Sequence, residues 1–343
     1  QILDLSNSKM QVDQVLYHIP QLTSLTSLNL RQDTTNPLWN VNDEGLLRIL
    51  EIKTLRSLFL SGSELSATSI YRLVELPHLS ELGFVNLIGL GKQSPLATLT
   101  QLRSLSIESS EMFDNSIEGV VAGLTCLTRL VVTNNELTGE AISALGSMKD
   151  LRTLWIADNQ IGLNRNMDHH SFSSVPNLTD LDISGNPIVE MRPWMSRKQR
   201  LGHLDFLLEL TQLKTLAMNH KANENGIEDE GLSFLRKLSS LTSLSLQQQS
   251  LTDRCTRYLN KFTTLEYLDL SKNKITNESL KELTDLTELR TFRVQDTILS
   301  DSALIHMIAF PRLEKLYLSN TRITSSAIAI IEKQCPYISV INS

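Results

Sequence analysis

The stretch LEYLDLSKNKIT, residues 265–276, returns almost unchanged as LEKLYLSNTRIT at residues 313–324. Both begin with L-x-x-L-x-L. With Ile, Val, Phe or Met allowed at the apolar places, that pattern starts at Leu25, Leu55, Leu79, Leu102, Leu127, Leu151, Leu178, Leu213, Leu241, Leu265, Leu289 and Leu313. A partial copy opens the chain at Leu3 and Leu5, and a weaker one starts at Ile338. Counting both gives about 14 repeats, and the commonest step is 24 residues, as from 241 to 265, 289 and 313. Self-similarity at such a period is the signature of a stacked-repeat architecture.

Each unit reads in three parts. A short alternating stretch such as LEYLDL predicts a half-buried strand. A polar turn follows, often with Asn, as at Asn135, Asn159, Asn186 and Asn273. Asn can hydrogen-bond backbone groups of a bend and close it without a second strand. The remainder, such as ITNESLKELTDL, spaces its leucines three to four apart, which is helical spacing. Ser, Thr, Asp or Asn precede it at Thr252-Asp253, Thr276-Asn277, Ser300-Asp301 and Thr324-Ser325. These residue types satisfy the free N–H groups of a first helical turn.

On these residues the chain resembles the leucine-rich repeat superfamily, with short repeats of the intracellular type. The resemblance covers essentially the whole chain. It implies an α/β fold: a curved, horseshoe-like solenoid with a parallel sheet on its concave side and short helices or helical turns on its convex side. It also implies a protein that binds other proteins. The 343 residues are expected to form a single solenoid, truncated at both ends, because the chain starts within an expected strand at Leu3 and stops within another at ISVINS.

Composition agrees with this reading. Hydrophobic residues make up 41% and aromatics 5%, so leucine must supply most of the core. A net charge of −6 argues against a broad nucleic-acid surface. No apolar run approaches the length of a membrane span. Cys126, Cys255 and Cys335 lie far apart and lack zinc or disulfide spacing, so three reduced, buried thiols in the cytoplasm are expected. Secretion stays open, since the chain begins QILDLSN with neither an initiator Met nor a signal peptide.

Side chains alternate along a strand, so the x positions of the pattern face solvent. The central solvent-facing row reads Asp4, Asn29, Phe59, Gly83, Ser106, Val131, Trp155, Asp182, Ala217, Ser245, Asp269, Arg293, Tyr317 and Asn342. The row before it includes Glu81, Arg129, Asp180, Tyr267 and Lys315; the row after includes Arg31, Val85, Glu108, Asn219, Gln247 and Gln295. Phe59, Val85, Val131 and Trp155 place apolar groups where the repeat requires none. Asp180 and Asp182 follow one strand later, and Tyr267, Asp269, Arg293, Lys315 and Tyr317 form an aromatic and charged group. Trp, Tyr and Arg often dominate interface energy, so these eleven residues are the candidate partner-binding face.

The period lengthens near residues 33–41, 163–173, 189–201 and 221–230. The segment EMRPWMSRKQR at 190–200 carries Arg192, Trp194, Arg197, Lys198 and Arg200, a candidate second contact on the rim. The acidic NENGIEDE of the next repeat is a candidate mate for that basic segment. Trp39 fits an irregular turn, and the adjacent His169 and His170 point apart, a poor metal pair. Phosphate loops, zinc spacings and nucleophile motifs are not found, so neither an enzyme nor a bound metal or cofactor is expected. The expected function is a protein–protein interaction scaffold, as a pathogen effector or a recognition subunit. Alternatives are a regulatory or targeting domain of a larger enzyme such as a ubiquitin ligase, or a secreted or surface adhesion module. Self-association into a homo-oligomer is also open.

Overall fold

The computed structural model describes residues 1–8, 12–32, 40–61, 65–91, 94–162, 171–188, 201–221 and 226–342. The chain divides into two compact units, Gln1–Asn177 and Leu178–Ser343.

The first unit carries seven parallel strands, each paired with the next. They are β1 (Ile2–Asp4), β2 (Ser27–Asn29), β3 (Ser57–Ser61), β4 (Glu81–Val85), β5 (Ser104–Glu108), β6 (Arg129–Val131) and β7 (Thr153–Trp155). The register aligns Leu3, Leu28, Leu58, Leu82, Leu105, Leu130 and Leu154 in one inward row. From Leu28 onward these leucines are at most 1% exposed. Burying one leucine contributes roughly 1.5–3 kcal/mol, so a leucine at fixed depth in every repeat fixes the register. Helices such as Asp43–Ile49, Ala67–Tyr71, Asp114–Val121 and Gly139–Ala144 follow the strands.

The second unit repeats the plan with β8 (Asp180–Asp182), β9 (Thr215–Ala217), β10 (Ser243–Ser245), β11 (Tyr267–Asp269), β12 (Thr291–Arg293), β13 (Lys315–Tyr317) and β14 (Ser339–Ile341). Its inward row is Leu181, Leu216, Leu244, Leu268, Phe292, Leu316 and Val340. This corrects one expected position. Ile341, not Asn342, pairs with Tyr317 in the central solvent-facing row. The adjacent apolar residues Val340 and Ile341 fit the repeat template in either of two registers, and strand pairing selects the one with Val340 opposite Leu316.

The turn asparagines act as expected. Asn135 donates to the carbonyls of Ile107, Val132 and Thr133 and accepts from the N–H groups of Ser110 and Met112. Asn273 donates to the carbonyls of Leu246, Leu270 and Ser271 and accepts from Gln249 and Leu251. Each amide thus ties its own turn to the preceding repeat. In ten of the repeats the bend carries a left-handed residue four places past the central inward residue. Asn7, Asn86, Ser109, Asn134, Asp158, Gln248, Lys272, Asp296 and Asn320 hold φ between 51° and 61° there, and Gly185 holds 68°.

A second ladder runs along the helix starts. Asp253 accepts from both the N–H and the Oγ1 of Thr276, at 2.7 Å each. Asp229 does the same for Thr252, Asp301 for Thr324 and, in the first unit, Asp114 for Thr138. Thr252, Thr276 and Thr324 in turn accept from the N–H groups of their own helix starts. Ser300 makes no such cap; its N–H and hydroxyl are both held by the Asn277 amide.

Cys126, Cys255 and Cys335 are all free thiols. The expectation that all three are buried fails at Cys126, which is exposed in the turn before Leu127, outside the inward positions. Cys255 is buried, and that burial pushes its thiol well above the usual range. Among the described residues no helix is long and apolar enough to cross a membrane.

Candidate binding face

In the first unit, Phe59 bends sideways across β4. A Cβ built on Gly83 would lie 2.2 Å from Phe59 Cδ1, so the ring fills the space that any other side chain there would need. Gly83 is what lets the ring lie down. Val85 and Val131 are only 9% and 3% exposed. Of the four apolar residues on this face, Phe59 and Trp155 are therefore the ones that reach the surface, each half-buried. Arg129 of β6 covers Trp155, its guanidinium carbon 3.9 Å from the ring centre. Such stacking contributes about 0.5–1 kcal/mol at exposed sites and more when desolvated.

A charged strap crosses the next row. Arg31, two residues past β2, donates through Nη2 to Glu108 Oε2 at 2.5 Å. Glu108 also accepts from Ser106 Oγ at 2.5 Å and Thr133 Oγ1 at 3.3 Å. Ser61 and Val85 occupy the two intervening strands in that row and are 3% and 9% exposed. The sequence places Arg31 and Glu108 in one row, but opposite charges three strands apart are a weak signal, and their pairing is found only in the structure.

In the second unit, Asp182 accepts from the N–H of Ser184 and Asp269 from that of Ser271, both at 2.9 Å. Asp4 and Asn29 of the first unit do the same with Ser6 and Arg31. Bonds from Ser6 hold the Asp4 carboxyl below the usual carboxylate range. Central-row Asp and Asn thus have a structural task, closing the end of a three-residue strand. One oxygen of Asp182 and of Asp269 is committed to it. Asp180 stands on the same strand in register with Thr215.

Tyr267, Asp269, Arg293, Lys315 and Tyr317 are brought together on the adjacent strands β11, β12 and β13. Arg293 is their hub. Its Nε lies 3.7 Å from Asp269 Oδ2, its Nη2 donates to Gln295 Oε1 at 3.0 Å, and its guanidinium carbon lies 4.4 Å from the centre of the Tyr317 ring. Burial, reinforced by the charge of Asp269, raises the Tyr267 phenol above its ordinary value, with Arg293 opposing. Lys315 is exposed. Just before the strands, Arg290 pairs with both Glu266 and Glu314.

The rim residues Arg192, Trp194, Arg197, Lys198 and Arg200 lie outside the described residues, as do Trp39, His169, His170 and residues 222–225. Of the acidic segment that follows, Asp229 is 5% exposed and serves the helix-start ladder, and Glu230 lies 3.7 Å from Arg257.

A family model described as Leucine Rich repeat matches residues 123–146 and 263–283. The first segment holds the turn before β6, β6 itself and the helix Gly139–Ala144 after it; the second holds β11, the Asn273 turn and the helix Asn277–Glu282. The chain has the leucine-rich repeat fold. Among solved structures, an internalin of Listeria monocytogenes (InlF) matches 100% of this chain and 86% of its own, with a TM-score of 0.60 and 21% identity. A leucine-rich repeat protein of Leptospira interrogans matches 94% of this chain and 73% of its own, with a TM-score of 0.53 and 18% identity. At these identities the likeness is one of fold. Among curated proteins no sequence match is found.

Proposed function

We propose that this leucine-rich repeat protein is a protein–protein interaction scaffold whose partner docks on the solvent-facing side of its strands. The reading is carried by one observation made in each unit. An arginine lies over an aromatic ring at solvent positions the repeat does not use for its core: Arg129 over Trp155 and Arg293 over Tyr317. A stacked pair offers a flat, prearranged surface that loses little side-chain freedom on binding. Binding, rather than catalysis, is the role we assign to Phe59, Trp155, Tyr267, Arg293, Lys315 and Tyr317, with Asp180, Asp182 and Asp269 supplying charge around them. The basic 190–200 segment is proposed as a second contact.

A pathogen effector or the recognition subunit of a larger assembly would use such a face in the same way. The free thiols support a reducing compartment, and we propose the cytoplasm. The test is affinity capture from a cell lysate with the parent chain beside Trp155→Asp and Tyr317→Asp variants, each checked for folding by circular dichroism. A partner held by the parent and lost by a variant supports the reading. A partner held equally by all three opposes it.

A further inference from the structure

Lys315 stands apart from the other charges around it. It is exposed, and among the described residues it has neither a hydrogen-bond nor an ion-pair partner. Its register neighbours, Thr291 and Ser339, are uncharged. The nearby carboxylates are engaged elsewhere. Asp269 faces Arg293 and the N–H of Ser271, while Glu266 and Glu314 both turn to Arg290. Lys315 is thus the cation of β11–β13 that lacks an ion-pair partner among the described residues. Beside Lys315, Tyr317 and Ile341 are half-buried neighbours on β13 and β14.

We infer, building on the reading that this face binds a protein, that Lys315 takes the carboxylate of an Asp or Glu in an acidic segment of the partner, with an adjacent apolar residue resting on Tyr317 and Ile341. The single free ammonium matches a single negative charge. A phosphoryl group fits less well. It carries nearly two charges and favours paired arginine donors held open to it, whereas Arg293 lies over the Tyr317 ring with Nη2 bonded to Gln295 and its Nε buried 3.7 Å from Asp269. Arg293 therefore holds the aromatic floor in place, and Lys315 reads the charge.

The probe is a display library of random twelve-residue peptides, panned on the whole chain. Enriched peptides are then measured by fluorescence anisotropy against the parent, Lys315→Gln, Lys315→Arg, Tyr317→Ala and Trp155→Ala. The inference expects an acidic residue beside an apolar one in the enriched peptides. Changing that residue to its amide should weaken binding to the parent by about three- to tenfold. Lys315→Gln should show the same loss and no further loss with the amide peptide, while Lys315→Arg retains binding. Enriched peptides without a required acid, indifferent to Lys315→Gln but sensitive to Tyr317→Ala or Trp155→Ala, would overturn the inference and leave the binding face standing. Phosphopeptides that bind tenfold better than their Glu counterparts would overturn the carboxylate assignment. No enriched peptide, or none sensitive to any of these changes, would overturn both the inference and the binding-face reading.

Discussion

Phe59 lies across β4 at Gly83, where an added Cβ would come within 2.2 Å of the ring. The two residues occupy opposite sides of one strand pairing, so they are coupled by contact as well as by register. Gly83→Ala should force the ring off its site and cost about 1–3 kcal/mol, the usual penalty of overpacking. In a Phe59→Ala background the same change should cost far less. Urea denaturation of the two single variants and the double variant measures the coupling.

Asn273 joins five backbone groups of two repeats while only 4% exposed. Asn273→Ala strands buried N–H and C=O groups that water does not reach, and should destabilise the second unit by about 2–4 kcal/mol. Loss of hydrogen-exchange protection should centre on the N–H groups of Gln249 and Leu251, which donate to the amide. Uniform loss across all repeats would show that the amide has no such local role.

Lys272 holds φ at 58° in the left-handed column. Its side chain is exposed, so a glycine there should relieve backbone strain and leave the core untouched. Lys272→Gly is expected to gain about 0.5–1 kcal/mol, since the strain relieved exceeds the added freedom of the unfolded chain. Lys272→Val should lose stability, because a β-branched residue fits this conformation poorly. Thermal melts of the two variants beside the parent decide the sign.

Tyr267 has its phenol raised first by burial and then by the charge of Asp269. Its folded value therefore lies above its unfolded one, near 10. The stabilisation this represents is fully present below about pH 10 and falls as pH rises beyond it. Ultraviolet titration should show a late-ionising tyrosine component, and Tyr267→Phe should reduce its amplitude. A parent titration in which all six tyrosines ionise together would contradict the assignment.

The repeat was legible because its signal is redundant: a leucine at the same depth in each copy, an Asn at the bend, a Thr before the helix. The solvent rows were legible for the same reason, since alternation assigns a face to every strand residue. Contacts between rows were not. Nothing in the order of residues says that Phe59 turns onto Gly83, that Arg31 reaches Glu108, or that Val131 is buried beside Trp155. Those outcomes depend on side-chain direction and on what the neighbouring strand offers, which here is often a Gly or a Ser. The strand-closing task of Asp182 and Asp269 was hidden as well, because an Asp that closes a strand end and an Asp left open to a partner look alike in sequence. The last register failed where Val340 and Ile341 stand side by side and the pattern gives no preference.

The central claim is that the strand side, not the helix side, meets the partner. Hydroxyl-radical footprinting of the chain alone and with its captured partner tests this directly, because aromatic side chains on both sides report on exposure. Tyr17, Tyr71 and Phe113, which are 64%, 55% and 55% exposed at the helices, serve as the opposite-side reporters. The account expects oxidation of Trp155 and Tyr317 to fall on binding while Tyr17, Tyr71 and Phe113 are unchanged. Protection of the helix-side residues, with Trp155 and Tyr317 still oxidised at their free rates, would contradict it.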